Sequence, residues 1–482
     1  MRRDTACTIV KMPALRNNTM RQIIQNLNKF EDKPAIIWHD HTYTYGWLRK
    51  KIGHFQHTLE QAGIPDGSIV TIESGFSPGA VAIFFALATK NCVVAPLSTS
   101  HKAEAGKLCK IAQTEYRLAP PQTDAPDDTA NVSSLKFEKT DLDAEHEIYR
   151  SLRQQHHPGL ILFSSGSTGE PKGIVHDLQL LAQRFDKPRK PYRAVAFLLF
   201  DHIGGINTML YLLSSGGCLV VLPDRSPETV LQTIEKHRVQ LLPTSPTFLN
   251  MIIASEAYKQ YDLSSLQVIS YGAEPMPEGT LRKIHELFPD VRLQQTYGLS
   301  EVGILSTKSK SSDSLWLKAG GKGYETKVVD GILHIRAETA MLGYLNAPSP
   351  FSEDGWLNTG DAVEVNGEYI RFRGRQDEQI NVGGEKVSPT EVESVLEAMD
   401  EIQQALVFGE KNPLMGAVVS ARIVPAPGAT VDPAALRKSI RQHCQNKLPR
   451  YKVPVRIEIV SDIQHTERFK KKRRQKTKSD CS

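Results

Sequence analysis

The segment 164–173, SSGSTGEPKG, places small hydroxyl residues, three glycines and one lysine directly behind the apolar run 160–163. Glycines let backbone N–H groups approach an anion closely, hydroxyl groups add further donors, and Lys172 adds a positive charge. This pattern predicts a loop that wraps phosphate groups. The residues expected to form it are Ser164, Ser165, Gly166, Ser167, Thr168, Gly169 and Lys172.

Two other interpretations of this segment are weaker. A Walker loop of the GTPase or ATPase type requires Gly-x-x-x-x-Gly-Lys-Ser/Thr, whereas here Pro171 precedes the lysine and Gly173 follows it. A flexible linker would also be rich in glycine and serine. Further signals of a nucleotide site follow along the chain at ordered intervals, and they favour the phosphate loop.

The length and composition indicate an ordinary globular protein. The chain has 482 residues, enough for a large domain and a smaller one, with 40% hydrophobic and 23% charged residues. Its longest apolar runs, 80–88 and 194–200, are far shorter than the roughly 18 residues that a membrane span needs. No secretory signal follows the first arginines. We therefore expect a cytoplasmic protein without a membrane span.

Cysteine spacing and charge exclude other classes of protein. The six cysteines are scattered without C-x-x-C spacing, which argues against a disulfide framework and a zinc site and indicates reduced, mostly structural thiols. The formal net charge of +5 is concentrated in the basic run 470–478. Such a run can bind nucleic acid or an anionic membrane, but a solvated tail is the more common outcome. We expect no nucleic-acid partner.

Apolar runs that end in turns alternate with helical patterns along the first two thirds of the chain. This order predicts layered α/β sheets. The predicted strands are 93–97, 160–163, 194–200, 218–222 and 267–270, and the predicted helices between them include 227–237 and 278–288. Residues 121–134 are rich in Pro, Asp, Thr and Ser and are expected to form a surface loop.

The pattern changes to short strands and tight turns after Gly321. Asp330-Gly331 and Asn366-Gly367 stand between alternating segments and predict hairpins. A small β-rich subdomain therefore closes the large unit. The polar stretch 374–377 precedes a predicted helix at 389–399 and further strands, so we place the domain boundary between residues 1–375 and 376–482.

Further polar motifs suggest a nucleotide site. Residues 270–275 could shape an adenine slot, residues 295–301 offer an aromatic ring and a carboxylate, and residues 356–361 end in Asp361. Together with the phosphate loop and the segments 374–380 and 382–387, these motifs resemble the adenylate-forming superfamily of acyl-CoA synthetases, nonribosomal-peptide adenylation domains and firefly luciferase. The resemblance covers roughly residues 20–470 and is closest to acyl- or aryl-CoA ligases.

The resemblance implies an α/β fold with a large N-terminal domain of layered sheets, a β-rich subdomain and a small mobile α+β C-terminal domain. It also implies a reaction with ATP, Mg²⁺ and coenzyme A, or with a phosphopantetheinyl carrier protein in place of coenzyme A. The loop would hold the β- and γ-phosphates, Thr296 would lie near the α-phosphate, and Glu301 with Thr168 would carry Mg²⁺. The remaining nucleotide contacts implied are Gly272, Ala273, Glu274, Pro275, Tyr297 stacked on adenine, Asp361 on the ribose, and Arg375.

The C-terminus departs from the family pattern, which is Thr-x-x-Gly-Lys. Thr466-Glu467-Arg468-Phe469-Lys470 fills that place, so Lys470 is expected to bridge the substrate carboxylate and the α-phosphate. Phe469 replaces the usual glycine and changes the backbone freedom beside the lysine. Lys471 or Lys472 are the alternatives for this role.

The resemblance also implies a small domain that is used twice, rotating about Asp377 between adenylation and thioester formation. Gly384 would then leave room for the pantetheine arm. An ordinary glycine turn is the alternative for this residue.

The acyl pocket implied by the resemblance is built from three segments, 200–207, 243–247 and 271–273. The residues expected to line it are His202, Gly204, Gly205, Tyr271 and Gly298, with His202 beside the reacting carboxylate or serving only as a structural histidine. Asp201 could pair with a substrate amine or point away from the pocket.

The resulting hypothesis is an ATP-dependent ligase that converts a small carboxylic acid, aryl or medium-chain, into an acyl-adenylate and then a coenzyme A thioester. A stand-alone adenylation enzyme that loads a separate carrier protein is the close alternative. An inactive nucleotide-binding regulator is the alternative of another class.

Overall fold

The computed structural model describes residues 19–98, 101–120, 135–165, 170–426 and 432–464. Several sequence predictions lie outside these ranges. They concern Gly166, Ser167, Thr168, Gly169, the loop 121–134 and Lys470 with the rest of the basic tail.

Two mixed sheets form the large unit. The strands of the first sheet, in spatial order, are Arg292–Gln295, Val268–Tyr271, Leu241–Thr244, Arg193–Val195, Cys218–Val220, Pro34–Trp38 and His41–Thr44. All of its neighbouring pairs are parallel except the last, which is antiparallel. Parallel strands are covered by helices on both faces, so their sequences read as near-continuous apolar runs.

The second sheet carries the strand that precedes the predicted phosphate loop. Its strands, in spatial order, are Gly343–Tyr344, Pro171–Asp177, Gly159–Ser165, Val93–Leu97, Ile69–Glu73, Tyr116–Ala119 and Lys136–Lys139. Gly159–Ser165 and Pro171–Asp177 pair antiparallel, from Gly159 opposite Asp177 to Ser165 opposite Pro171. Ser165 and Pro171 therefore lie opposite each other at the adjacent ends of these two strands.

The β-rich subdomain is an antiparallel sheet, as expected from its hairpin signals. Its strands, in spatial order, are Ser306–Ser309, Leu317–Gly320, Tyr369–Arg375, Leu357–Asn366, Ile332–Ala337 and Tyr324–Val329, and a short hairpin pairs Gly298–Leu299 with Gly303–Ile304. Gly331 and Gly367 both have positive φ, at 74° and 61°. This conformation costs glycine little, which is why Asp-Gly and Asn-Gly predicted these turns correctly.

The C-terminal part forms its own sheet and core. Its strands are Ile380–Val382, Glu385–Val387, Ile402–Asn412, Gly416–Pro425 and Arg456–Ile459, and the last two pair in parallel. The buried residues of its core run from Ile380 to Ile457. This arrangement fits the boundary placed after residue 375, although the boundary itself and the mobility of this part stay predictions.

Helices pack on the sheets. Several of them begin at a Ser-Pro or Asp-Pro pair, in which the first side chain caps a backbone N–H and the proline occupies the first turn. Ser77, Ser226, Ser245 and Asp432 make such caps. The helices are Thr19–Asn26, Tyr45–Gln61, Pro78–Thr89, Ala105–Ala112, Glu147–Gln155, Leu178–Ala182, Ile203–Ser214, Pro227–His237, Pro246–Ser255, Glu278–Leu287, Pro389–Leu396 and Pro433–Lys447. None of the helices in the described ranges has both the length and the apolar character needed to cross a membrane.

The expected strand 194–200 is too long. The observed strand is Arg193–Val195, and the last sheet bond beyond it runs from the Ala196 N–H to the Val220 carbonyl. Phe200 then leaves the sheet and packs its ring against Phe76 and Phe84. The apolar character of this run therefore reflects core packing beyond the strand.

Candidate active site

A cavity of about 850 Å³ opens at the carboxyl ends of the parallel strands in the first sheet. The segments that follow Thr244, Tyr271 and Gln295 line it, together with the first residues of the helix Ile203–Ser214. Ligands of open α/β sheets bind at this edge, where loops diverge and helix N-termini carry a partial positive charge. The cavity is therefore the candidate active site.

Most of the described residues predicted for the site line this cavity. They are Ser164, His202, Gly204, Gly272, Ala273, Glu274, Pro275, Thr296, Tyr297, Gly298, Glu301, Asp361 and Arg375. Lys172, Gly205, Tyr271, Asp377 and Gly384 lie outside its lining. The roles of all these residues in binding or catalysis stay predictions.

Asp361 and Tyr297 form a buried polar pair in the cavity wall. The Tyr297 hydroxyl donates to Asp361 Oδ2 at 2.5 Å, and Arg375 Nε lies 3.7 Å from Asp361 Oδ1. Burial and the negative charge of Asp361 raise the pKa of Tyr297 well above its usual range, so the phenol stays protonated. One face of the Tyr297 ring stacks on Phe372, with centroids 4.4 Å apart. Only its other face could meet an adenine ring.

Glu301 is linked, through a hydrogen bond from Tyr344, to the strand that follows the predicted phosphate loop. The Tyr344 hydroxyl donates to Glu301 Oε1 at 2.8 Å, and Lys172 Nζ lies 5.0 Å from the centroid of the Tyr344 ring. Tyr344 pairs with Ile174 in the second sheet. Burial, followed by the Glu301 charge, raises the pKa of Tyr344. Lys172 therefore lies near Glu301 although it does not line the cavity.

The segment 272–275 makes a tight turn over Thr296. A Cβ atom on Gly272 would come within 2.5 Å of Thr296 Oγ1, which itself donates to the Tyr271 carbonyl at 3.0 Å. Ala273 has a positive φ of 70°, a conformation that non-glycine residues seldom adopt. The Thr247 N–H donates to Glu274 Oε1 at 2.7 Å and closes the turn. These contacts hold the turn in place at the edge of the sheet where the parallel strands end.

His202 combines a structural role with a place in the cavity wall. Its Nδ1 accepts the Gly204 N–H at 3.2 Å and caps the helix Ile203–Ser214. Gly205 lies in the same turn, where an added Cβ would be 1.9 Å from the Leu199 carbonyl oxygen. The glycine at position 205 is therefore explained by close helix packing.

Asp201 points away from the cavity. Its Oδ2 accepts the Ser98 N–H at 3.0 Å and lies 3.0 Å from His101 Nδ1. Burial opposes ionisation, but the hydrogen bonds from His101 and Ser98 outweigh it and lower the pKa of Asp201 to about 2. Of the two possibilities for Asp201, the structure shows a buried carboxylate that points away from the cavity and contacts Ser98 and His101.

The C-terminal part reaches the cavity through residues that sequence reasoning missed. Thr390, Glu391 and Ser394 on the helix Pro389–Leu396 line it. Asp377 Oδ1 lies 3.5 Å from Arg375 Nε, and Gly384 has a φ of 95° with its N–H bonded to Asn381 Oδ1 at 2.9 Å. A left-handed turn at Gly384 favours glycine whether or not a thiol passes nearby.

Two further groups of lining residues were also missed. Asn207, Thr208 and Tyr211 form the polar side of an otherwise apolar helix, and their spacing of three and four residues could have revealed them. Arg184, Arg189 and Arg292 also line the cavity. No sequence signal marks these arginines, because they meet only through the tertiary fold.

The chemistry of Glu301 fits a divalent cation. Its carboxylate lines the cavity, and oxygen ligands are those that Mg²⁺ prefers. The described residues contain no group of three or more His, Cys, Asp or Glu side chains placed to hold a metal. Mg²⁺ in nucleotide sites is commonly held by one or two carboxylates together with the substrate phosphates, so a single carboxylate suffices.

Several known proteins and solved structures are similar to this chain. The indoleacetate–CoA ligase of Aromatoleum aromaticum is 30% identical over 336 residues, which is 64% of this chain and 64% of that protein, just under two thirds of its length. The 4-coumarate-CoA ligase 1 of Narcissus pseudonarcissus is 28% identical over 472 residues, or 86% of each chain. The structure of the anthranilate CoA ligase AuaEII in complex with anthranoyl-AMP has a TM-score of 0.80 at 23% identity, covering 95% of this chain and 96% of that one.

The structural likeness confirms the α/β fold with its large and small parts. The model of the family described as AMP-binding enzyme matches residues 23–345, more than half of the chain. The model of the AMP-binding enzyme C-terminal domain matches residues 391–470. The motifs, the cavity at the sheet edge and both family matches agree, and the chain belongs to the AMP-binding enzyme family.

Proposed function

We propose that this protein is an AMP-forming acid–thiol ligase. It uses ATP to convert a carboxylic acid into an acyl-adenylate and then forms a thioester with coenzyme A. The observation that carries this proposal is the pair of family matches, 23–345 and 391–470, whose two parts both line one cavity at the strand edge. The relatives compared above are named as CoA ligases, which supports the same reaction class.

The first half-reaction must bring a carboxylate onto the α-phosphate of ATP, and two anions resist that approach. In our proposal the phosphate loop and Lys172 offset the negative charge of the β- and γ-phosphates, while Thr296 lies beside the α-phosphate. Asp361 accepts hydrogen bonds from the ribose hydroxyls, since its carboxylate lines the cavity and is fixed by Tyr297. His202, at the start of the helix Ile203–Ser214, lies beside the reacting acid.

Mg²⁺, bound through Glu301, would neutralise the triphosphate and aid the departure of pyrophosphate. The hydrogen bond from Tyr344 orients the Glu301 carboxylate towards the cavity. Thr168, the second candidate metal ligand, lies outside the described residues.

The second half-reaction needs a thiol and a rearranged small domain. We place the domain boundary between residues 375 and 376, with Asp377 as the hinge and Gly384 beside the incoming pantetheine arm. The short 3₁₀ segment Gln376–Glu378 supports a hinge here, because it joins the last strand of the β-rich subdomain to the C-terminal sheet. Coenzyme A is our first choice of acceptor, with a separate carrier protein as the alternative. The cytoplasmic location stays a prediction.

The test is acid-dependent pyrophosphate release with ATP and Mg²⁺ across a panel of aromatic, fatty and amino acids. Coenzyme A and a phosphopantetheinylated carrier protein are supplied in separate reactions. We expect release with at least one acid and a thioester product with coenzyme A. A thioester on the carrier alone would favour the loading enzyme. ATP binding without release for any acid would contradict the ligase and support the inactive regulator.

A further inference from the structure

The part of the cavity that would hold the carboxylic acid substrate extends far from the proposed reaction centre. Leu241, Val268 and Arg292 are the first residues of adjacent parallel strands and line the cavity side by side. The strand edge, where Thr296 lies, is four residues beyond Arg292, about 13 Å along the strand. On the opposite wall, Gly204 and Tyr211 are seven residues apart on one helix, about 10 Å. The cavity therefore extends roughly 10 Å from the reacting carboxylate to its far end.

Arginines gather at and beside this far end, where Arg184 is half-buried and Arg189 and Arg292 are exposed. Arg189 and Arg292 line the cavity, as does Tyr211, whose hydroxyl donates to the Lys190 carbonyl at 2.7 Å. Burial raises the pKa of Tyr211, and the charges of Arg189 and Arg292 partly oppose that rise. Arg189 Nη2 donates to the Arg184 carbonyl at 2.9 Å. The guanidinium carbons of Arg184 and Arg189 lie 5.6 and 5.9 Å from the centroid of the same ring, that of Phe185.

Within the described part of the chain, no ion pair joins Arg184, Arg189 or Arg292 to an acidic side chain. The lining acids that do form ion pairs meet basic groups elsewhere, such as Glu278 with Arg371 and Glu391 with Lys452.

Arg184 is the most enclosed member of the cluster. Its Nε is buried without a hydrogen-bond partner, and Nη1 donates to the Ile304 carbonyl. Burial, together with the positive charge of Arg189, lowers the pKa of Arg184. A partly desolvated cation that lies beside another cation is stabilised by an anion. A guanidinium can form a bidentate pair with a carboxylate, with two parallel N–H···O hydrogen bonds.

We propose that the far end of the cavity binds a second carboxylate of the acid, so that the enzyme activates dicarboxylic acids whose carboxyl groups lie about 10 Å apart. This inference rests on the ligase function proposed above. The side chains of Leu241, Val268 and Tyr211 provide an apolar passage for the chain that joins the two carboxylates.

The test compares diacids with monoacids of equal carbon number in the adenylation half-reaction, followed as ATP–pyrophosphate exchange. Suberate, azelate and sebacate are paired with octanoate, nonanoate and decanoate. Coenzyme A is omitted, because its phosphates are another anion that arginines could bind. We expect each diacid to exceed its monoacid in kcat/KM by about 3- to 30-fold, the range for two solvent-exposed ion pairs.

The variants Arg292→Gln and Arg189→Gln should lower the diacid-to-monoacid ratio towards one. Arg336→Gln is the matched control, since Arg336 is an exposed arginine outside the cavity lining, and its ratio should equal that of the wild type. A wild-type enzyme that uses both acids of a pair equally would overturn the proposal, as would variants that leave the ratio unchanged.

Two readouts separate this proposal from the ligase function. Monoacid turnover without a diacid preference would end the proposal and leave the ligase function standing, whereas no exchange with any acid would end both. Thermal unfolding with a non-hydrolysable ATP analogue gives a readout independent of turnover. Azelate should raise the melting temperature of the wild type more than nonanoate does, and this difference should vanish in the double variant Arg189→Gln/Arg292→Gln.

Discussion

Asp361 shows how one side chain in this cavity is prepared for a polar ligand. It lies on a strand opposite Arg375, in register with it, and its carboxylate accepts the Tyr297 hydroxyl. The side chain of Asp361 is only 13% exposed, and it lines the cavity. A buried carboxylate with a fixed orientation is suited to accept the two hydroxyls of a ribose.

Asp361→Asn should raise KM for ATP by roughly 10- to 100-fold, because a hydrogen bond to a charged group contributes about 1.5–3 kcal/mol. Tyr297→Phe keeps the ring stacked on Phe372 and removes only the hydroxyl. Its effect on KM should be under about tenfold. The measurement is the ATP dependence of pyrophosphate release, and an unchanged KM in Asp361→Asn would argue against the ribose contact.

The helix Ile203–Ser214 forms one wall of the cavity, and its position depends on a close backbone contact. The Leu199 carbonyl packs against Gly205 in the first turn, where no Cβ fits. His202 caps the same turn. Packing at this density allows little movement, so the wall and the residues on it are fixed together.

Gly205→Ala should destabilise the protein by about 1–3 kcal/mol, since the new methyl group forces the helix away from Leu199. Gly53→Ala is the matched control, because Gly53 lies in the helix Tyr45–Gln61 with open space where a Cβ would stand. That change should stabilise by up to about 1 kcal/mol, the difference in helix propensity. Urea unfolding midpoints measure both, and equal shifts would contradict this explanation of Gly205.

The strand Pro171–Asp177 is tied to the hairpin after Gln295 through a buried histidine. His176 is fully buried, and its Nε2 lies 2.6 Å from the Ser300 carbonyl, to which it donates. Burial lowers the pKa of His176 to about 4. The side chain is therefore neutral in the folded protein at physiological pH.

His176 should make the protein sensitive to acid. The unfolded chain binds a proton at this residue below about pH 6.5, whereas the folded chain does so only near pH 4. Between these values the unfolded state holds more protons, so stability falls as pH falls, by roughly 3 kcal/mol at pH 4. His176→Gln should flatten this part of the stability–pH curve, measured by urea unfolding from pH 7 to 4. If the slope of the stability–pH curve is unaltered, the acid sensitivity arises from other groups.

At the scale of the whole molecule, two parts with separate cores share one cavity. The helix Pro389–Leu396 of the C-terminal part contributes to the lining of a cavity formed mostly by residues of the large unit. A site between two parts can be opened and rebuilt by their relative motion. The C-terminal family match ends at residue 470, the lysine predicted to act in adenylation.

Lys470→Ala should reduce adenylation by about 10²- to 10³-fold, the usual loss when one charge-stabilising group is removed. Thioester formation from a preformed acyl-adenylate should be largely retained, because the lysine acts only in the first half-reaction. Lys471→Ala and Lys472→Ala are the matched controls and should keep normal adenylation. If either of them loses adenylation while Lys470→Ala does not, the role belongs to that neighbour.

Local sequence signals predicted individual elements well. The strand Val93–Leu97 and the helix Pro227–His237 have the expected bounds. Both are bounded by residues with strong local preferences, such as Ser226 and Pro227 at the start of the helix. The strand predicted at 194–200 is longer than the observed strand, because apolar character alone does not distinguish a strand from a buried loop.

The sequence by itself determined the family, the order of the elements and the motifs predicted to form the nucleotide-binding side of the cavity, because these depend on residue types at short spacing. Only the tertiary structure decided the direction of Asp201, the bond between Tyr344 and Glu301, and the gathering of Arg184, Arg189 and Arg292. Those contacts join residues far apart in the chain, and their geometry depends on how sheets and helices pack, which no local pattern encodes.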